Sequence, residues 1–320
     1  MTTKAVIFDL DGTIINFNLD YKAARAEVIE YLTTQGFPRS LFSLNESVFE
    51  MLKKVEVSMR NSGKNEKEFS KLRETVLTLL EKYELESAKT TSLIPGILET
   101  LKTLKQNKLK LALFTVNSKK STNYILDTFH LKNSFDAVVT RDSVPKVKPN
   151  PVHLETALKK VKVKPAEAIV VGDSNWDMKS AQELHVFAVG VTYGISTPEE
   201  LTRAGANCLI SSPTDLIKLI EETNTHAKMR RKRNHTRSPN TRATIKPAVK
   251  KTSRGKPGVA QTMFGSRPSR LALKILLTIP STFSSLGNTN RCLSVSPVSF
   301  LPMSSRGYMC PFSNSDALTL

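Results

Sequence analysis

The residues of this chain best suited to chemistry are acidic, and they come in pairs. Asp9 and Asp11 stand two positions apart at the end of an apolar run over residues 4–10. Alternate side chains of an extended strand share a side, so both carboxylates point the same way. Gly12 follows and allows the backbone to turn tightly. A second apolar run, residues 168–172, ends in Asp173, with Asp177 one helical turn further on. Carboxylates gathered at one edge repel each other. A hard cation with oxygen ligands relieves that repulsion, and Mg2+ is the expected ion.

Groups of the opposite character close two other segments. Thr115-Val116-Asn117 ends the apolar stretch Leu-Lys-Leu-Ala-Leu-Phe with a hydroxyl and backbone amides. Lys148 lies in Lys146-Val147-Lys148-Pro149-Asn150-Pro151, a cation on a proline-stiffened loop. Carboxylates with Mg2+, a lysine, a hydroxyl and free N–H groups suit a phosphoryl group, whose transfer depends mostly on positioning and charge neutralisation. Each residue alone also has a plainer reading. Asp-x-Asp can be a solvated turn, Thr115 can bond its own backbone, and Lys148 can be a surface lysine. Among the histidines, His130, His153 and His185 are scattered without metal-ligand spacing.

The elements that must position these groups follow from periodicity. The first strand is followed, over about residues 20–89, by apolar residues at helical spacing: Ala24, Val28, Ile29 and Leu32, then Phe49, Leu52, Val55 and Met59, then Leu72, Val76, Leu79, Leu80 and Tyr83. Breaks at Gly36-Phe37-Pro38 and Asn61-Ser62-Gly63 divide this stretch into three helices. After Pro95-Gly96 helices and strands alternate. Helices are predicted over 97–107, 121–129, 151–161, 177–184 and 198–204, and strands over 109–116, 137–140, 168–172, 186–191 and 207–210. That rhythm implies right-handed crossovers and a parallel sheet. The expected fold is α/β, a Rossmann-like parallel sheet with helices on both faces and an inserted helical domain. Ligands of such sheets bind beyond the carboxyl ends of the strands, which is where the acidic pairs fall.

The chain has 320 residues with 47 Lys+Arg against 29 Asp+Glu, a net charge of +18. The excess is not shared evenly. Residues 226–320 hold 17 of the basic side chains and a single acidic one, Asp316, so residues 1–225 are nearly neutral. The same tail holds half of the 16 prolines and no apolar periodicity, and disorder is expected for it. It can be an electrostatic arm for nucleic acid or an extension with no specific task. Three cysteines without CxxC spacing argue against a disulfide framework or a zinc site. The longest apolar run near a membrane pattern, residues 271–279, contains Lys274 and is half the length of a span. With no signal-peptide pattern at the N-terminus, a cytoplasmic protein without a membrane partner is expected.

Asp9-Leu10-Asp11-Gly12-Thr13, Thr115, Lys148-Pro149 and Gly172-Asp173-Ser174-Asn175-Trp176-Asp177, in that order, resemble the four motifs of the haloacid dehalogenase-like hydrolase superfamily. The resemblance spans about residues 4–221, is greatest to the phosphoglycolate phosphatase-like branch, and leaves out the tail. It implies a core domain of residues 1–15 and 91–225, with residues 16–90 as a helical cap domain. It further implies that Asp9 is the nucleophile, forming an aspartyl-phosphate. Asp11 would be general acid and then base. Thr115, Asn117 and Lys148 would hold the phosphoryl group, and Asp9, Asp11 (through its backbone carbonyl), Asp173 and Asp177 would surround Mg2+. In the cap, Asn18, Tyr21, Arg25 and the helix over 64–89 are the places expected to read the substrate. Arg25 could pair bidentately with a carboxylate such as that of phosphoglycolate.

The function implied is hydrolysis of a small phosphorylated metabolite. Dehalogenation is disfavoured because Asp11 is retained, and halide needs no protonation to leave. A phosphomutase of the beta-phosphoglucomutase type shares the cap and the motifs and is the nearest alternative. A nucleic-acid-associated protein acting through the tail is the alternative of another class.

Overall fold

The computed structural model describes residues 2–236 and 308–309. Strand β1 (Ala5–Phe8) is entirely apolar and entirely buried, as a strand covered on both faces must be. It lies at the centre of the sheet, between β2 (Lys110–Phe114) and β4 (Ala168–Gly172). Strand β3 (Ala137–Val139) flanks β2, while β5 (Phe187–Val191) and β6 (Cys208–Ile210) extend the other side. These six strands are parallel in the order β3-β2-β1-β4-β5-β6. The order reverses at β1 and β4, so the crevice expected of a doubly wound sheet opens at their carboxyl ends.

Alternation along the strands divides the core into two layers. Val6, Phe8, Leu111, Leu113, Ile169 and Val171 face one way, where α4 (Ile97–Gln106), α5 (Lys119–Thr128) and α9 (Asp215–Thr236) cover them. Ala5, Ile7, Ala112, Phe114, Ala168 and Val170 face the other way. They are covered by α6 (Pro151–Val161), α7 (Asn175–Glu183) and α8 (Pro198–Arg203). The longer of these helices bury apolar residues at three-and-four spacing, such as Leu154, Ala157, Leu158 and Val161 of α6, and the short α8 contributes Leu201.

Between β1 and α4 the chain leaves the sheet to form α1 (Tyr21–Thr34), α2 (Val48–Asn61) and α3 (Glu66–Thr90). Reciprocal capping boxes start α2 (Ser47 with Glu50) and α3 (Asn65 with Glu68). The three helices share their own apolar cluster, with Val28, Leu32, Met51, Val55, Val76 and Leu80 at its heart. The outgoing and returning connections are tied together. Asn16 N–H donates to Ser92 O at 2.9 Å, Thr91 Oγ1 donates to Asn16 O at 2.8 Å, and Asn18 Nδ2 donates to Thr90 O at 3.2 Å.

Two features depart from the sequence reading. Helix α9 lies beyond the last element expected and runs past the tail boundary at residue 226. Among the described residues Leu216, Leu219 and Ile220 of it join the core, and past Ile220 the sequence is mostly polar. Once that first turn is packed, each further residue adds a backbone hydrogen bond at little cost. A two-residue strand, β7 (Tyr308–Met309), also pairs antiparallel with β6 inside the region expected to be disordered. The rest of that expectation, for residues 237–307 and 310–320, lies outside the described residues. Among the described residues no helix is long and apolar enough to cross a membrane.

Candidate active site

The carboxyl ends of β1 and β4, neighbours in the sheet, deliver Asp9 and Asp173 to one place. With Asp177, from the first turn of α7, they form a group of buried carboxylates whose oxygens lie within 4.8 Å of one another. Asp173 is wedged between two glycines. Gly12 adopts φ +70°, open to glycine at little cost, and a Cβ there or on Gly194 would overlap the Asp173 carboxylate. Ile195 N–H donates to Asp173 Oδ2 at 2.9 Å and fixes its rotamer.

Lys148 enters this cluster from the loop before α6. Its ammonium lies 2.6 Å from Asp9 Oδ1 and 2.7 Å from Asp177 Oδ1, with all three residues buried. It also sits 4.4 Å from the centre of the Phe114 ring. His153 supports the loop: its Nδ1 accepts from Lys148 N–H at 3.3 Å, and its Nε2 donates to Val139 O at 3.2 Å. Burial, with Lys148 nearby, pulls the His153 imidazole down to about 4, so it is neutral, as that pair of bonds requires. Asp177 is fully engaged, because its Oδ2 closes the capping box of α7 with Ser174 N–H at 3.1 Å and Ser174 Oγ at 2.6 Å.

One lysine does not balance three carboxylates. Burial, only partly offset by Lys148, pushes the Asp9 carboxyl up to about 7. Burial and the neighbouring Asp9 and Asp177 raise Asp173 well above the ordinary carboxylate range. Burial works against the Lys148 ammonium, but Asp177 and Asp9 outweigh it and hold it above its ordinary value. A hard divalent cation among these oxygens fits this imbalance. Asp9 and Asp173 are the residues best placed to hold it, since Asp177 already serves Lys148 and Ser174.

Asp11 faces elsewhere. Its Oδ2 accepts from Asn117 Nδ2 at 2.7 Å, and its carboxylate stands outside the three-carboxylate group. Burial, with the charges of Asp9 and Glu84, pushes Asp11 up to about 7, a value at which a carboxyl donates a proton at neutral pH. Thr115 is buried just past the end of β2, and its hydroxyl accepts from Asn117 N–H at 3.2 Å while keeping its proton to donate. The structure therefore brings Asp9, Asp11, Thr115, Asn117, Lys148, Asp173 and Asp177 to one sheet edge.

Of the three expected cap residues, Asn18 lies beside this group, while Arg25 and Tyr21 stack on each other within the helical insertion. Asn18 lines a cavity of about 400 Å³ with Gly12, Asn16, Ser92, Tyr193 and Ile195, beside the metal-side carboxylates. Arg25 is turned into the helical insertion: it donates to Leu44 O at 2.9 Å and stacks 4.5 Å over the Tyr21 ring. One guanidinium nitrogen of Arg25 is thus engaged within the helical insertion, and Tyr21 is its stacking partner.

Several contributors were not evident in the sequence. Ser174, His153 and Gly194 act by holding Asp177, Lys148 and Asp173. Glu84 of α3 and Arg141, after β3, form a buried ion pair near Asn117. The spacing Leu72, Val76, Leu80, Glu84, Ala88 carries the signal for Glu84, because it sets a carboxylate on the buried stripe of α3.

Residues 6–191, more than half of the chain, match the family model described as haloacid dehalogenase-like hydrolase. The chain is 27% identical over 225 residues to phosphoglycolate phosphatase 1 of Pseudomonas aeruginosa, covering 68% of this chain and 80% of that protein. It is equally 27% identical over 222 residues to the pyrophosphatase PpaX of Halalkalibacterium halodurans, covering 69% and 98%. Among solved structures it resembles a hydrolase from Pseudomonas syringae, with a TM-score of 0.52, 26% identity and coverage of 69% of this chain and 99% of that one.

Proposed function

The chain belongs to the haloacid dehalogenase-like hydrolase family, and from that premise we propose that it is a Mg2+-dependent phosphatase hydrolysing a small phosphomonoester through a phosphorylated Asp9. The observation that carries this reading is the different company of the two motif aspartates. Asp9 is paired with the Lys148 ammonium, whereas Asp11 is hydrogen-bonded to the neutral amide of Asn117. Burial raises both carboxyls, but only Asp9 has a cation at 2.6 Å to hold it as an anion, which leaves Asp11 the one to carry a proton.

In this reading Lys148 holds Asp9 Oδ1, leaving Oδ2 to attack phosphorus in line. The ammonium has three N–H bonds, and the one not used by Asp9 and Asp177 steadies a phosphoryl oxygen, as does the Thr115 hydroxyl. Asp11, protonated near neutrality, gives its proton to the departing oxygen as the P–O bond breaks. It then takes a proton from the water that attacks phosphorus and frees Asp9. Mg2+, held by Asp9 and Asp173, would supply charge neutralisation for the carboxylates and the phosphoryl oxygens. Residues 16–90 serve as the cap that covers this edge.

The cavity beside the carboxylates offers Asn16, Asn18, Ser92 and Tyr193 and no cation among its lining residues. That lining offers hydrogen-bond partners to the leaving group of a small phosphomonoester. A phosphate-release screen with and without Mg2+ tests the proposal. The panel holds glycerol phosphate and sugar phosphates, 2-phosphoglycolate and pyrophosphate. Steady Mg2+-dependent release from a monoester supports hydrolysis. Conversion of a sugar phosphate to an isomer with almost no free phosphate contradicts it in favour of a mutase.

A further inference from the structure

We propose that the buried pair Glu84–Arg141 positions Asn117, and through Asn117 the proton-carrying Asp11; this rests on the phosphatase reading above. Three consecutive backbone units, residues 116–118, are gripped by these two side chains and the Arg141 backbone. Arg141 Nη1 donates to Glu84 and to Val116 O, the latter at 3.3 Å. Arg141 N–H donates to Asn117 O at 3.2 Å, and Ser118 N–H donates to Glu84 Oε2 at 2.9 Å. The second guanidinium nitrogen reaches Leu77 O of α3 at 3.1 Å. The residue at the centre of this grip, Asn117, is the one whose amide lies 2.7 Å from Asp11.

The location of the pair is costly unless it does something. Glu84 is 4% and Arg141 2% exposed, and burying two charges gains little stability over apolar packing. Simple attachment of α3 to the sheet could be met by apolar contacts. The directional bonds to Val116, Asn117 and Ser118 instead fix the one segment that both Thr115 and Asn117 belong to. Glu84 reaches this segment from the helical insertion, so the seating of α3 against the sheet and the aim of the Asp11 hydrogen bond are set together.

Positioning of an acid has a signature that general loosening lacks, because it matters only when the leaving group needs a proton. p-Nitrophenyl phosphate releases a stable anion, whereas glycerol phosphate releases an alcohol that must be protonated. The test compares kcat/KM for both esters, at saturating Mg2+, in the full chain and in Glu84→Gln, Arg141→Met, Asn117→Ala and the double variant Arg141→Met with Asn117→Ala. Glu84→Gln and Arg141→Met are each expected to lose about 10–100-fold on glycerol phosphate and less than about threefold on p-nitrophenyl phosphate, while Asn117→Ala serves as the background for the double variant. Arg141→Met should cost less than about twofold further once Asn117 is already Ala, since both act on one bond. If Arg141→Met does not fold, Glu84→Gln carries the same comparison, because it keeps the shape and an oxygen toward Ser118. Equal losses on the two esters, or additive losses in the double variant, overturn the positioning role alone. A wild-type chain that hydrolyses neither ester overturns the phosphatase reading and this proposal with it.

Discussion

Lys148 Nζ lies 2.6 Å from Asp9 Oδ1, a cation and a carboxylate both buried at the carboxyl edge of the sheet. The same ammonium reaches Asp177 at 2.7 Å, so one lysine fixes the orientation of the attacking carboxylate and of the start of α7. An amino group that is both a positioning device and a charge for the phosphoryl oxygens should be hard to replace.

Lys148→Met keeps the length of the side chain and removes the charge. The expected loss in kcat/KM is on the order of 10²–10³-fold. Steady-state kinetics on any accepted monoester measure it, and a loss under about threefold would contradict the role given to Lys148.

The raised carboxyls predict how stability depends on pH. Burial lifts Asp9 and Asp11 to about 7 and lifts Asp173 in the same direction, while in the unfolded chain all three titrate near 4. Between about pH 4 and pH 7 the folded chain therefore holds more protons than the unfolded one, and its stability falls as pH rises through that window. Mg2+ binds the ionised carboxylates, so it should raise Tm more at pH 8 than at pH 5. Thermal unfolding with and without MgCl2 at the two pH values gives the comparison; an equal increment at both counts against the carboxylate site.

Gly194 approaches Asp173 so closely that a Cβ would overlap its carboxylate. Gly194→Ala should displace Asp173 and weaken Mg2+ binding by about 10–100-fold, the range seen when groups that orient a ligand are disturbed. Calorimetric titration with MgCl2 reads this directly, and unchanged affinity would remove Asp173 from the site.

The charge of +18 belongs mainly to residues 226–320, outside the span matched to the family. A chain ended after Thr236, at the close of α9, should hydrolyse a small monoester with kcat/KM within about twofold of the full chain. A tenfold fall would bring the tail into the enzyme. Parallel titration of DNA and RNA against salt separates the electrostatic reading, which requires a steep slope lost on truncation.

Strand ends were legible because chemistry and periodicity coincide there. Asp9, Asp173 and Thr115 each terminate an apolar run, and such runs become buried strands of one sheet. The partner of each charge was less legible. That Lys148 meets Asp9, or Asn117 meets Asp11, depends on strand order, which brings residues 106 positions apart within hydrogen-bond reach. Arg25 is the converse case: its charge suggested a substrate clamp, and the ring at 4.5 Å and carbonyl at 2.9 Å that it meets could not be read from its place in the sequence. Helix α9 escaped notice because its sequence past Ile220 is mostly polar and carries no apolar period.

The central claim is that Asp9 attacks phosphorus, and Asp9→Asn tests it most directly. The amide keeps the shape of the side chain and its place beside Lys148 but is not a nucleophile. Phosphate release from the best monoester of the screen, measured at saturating Mg2+ with folding checked by circular dichroism, should fall to background while the fold is retained. A folded Asp9→Asn chain that still turns over substrate at a substantial fraction of the wild-type rate would contradict the account.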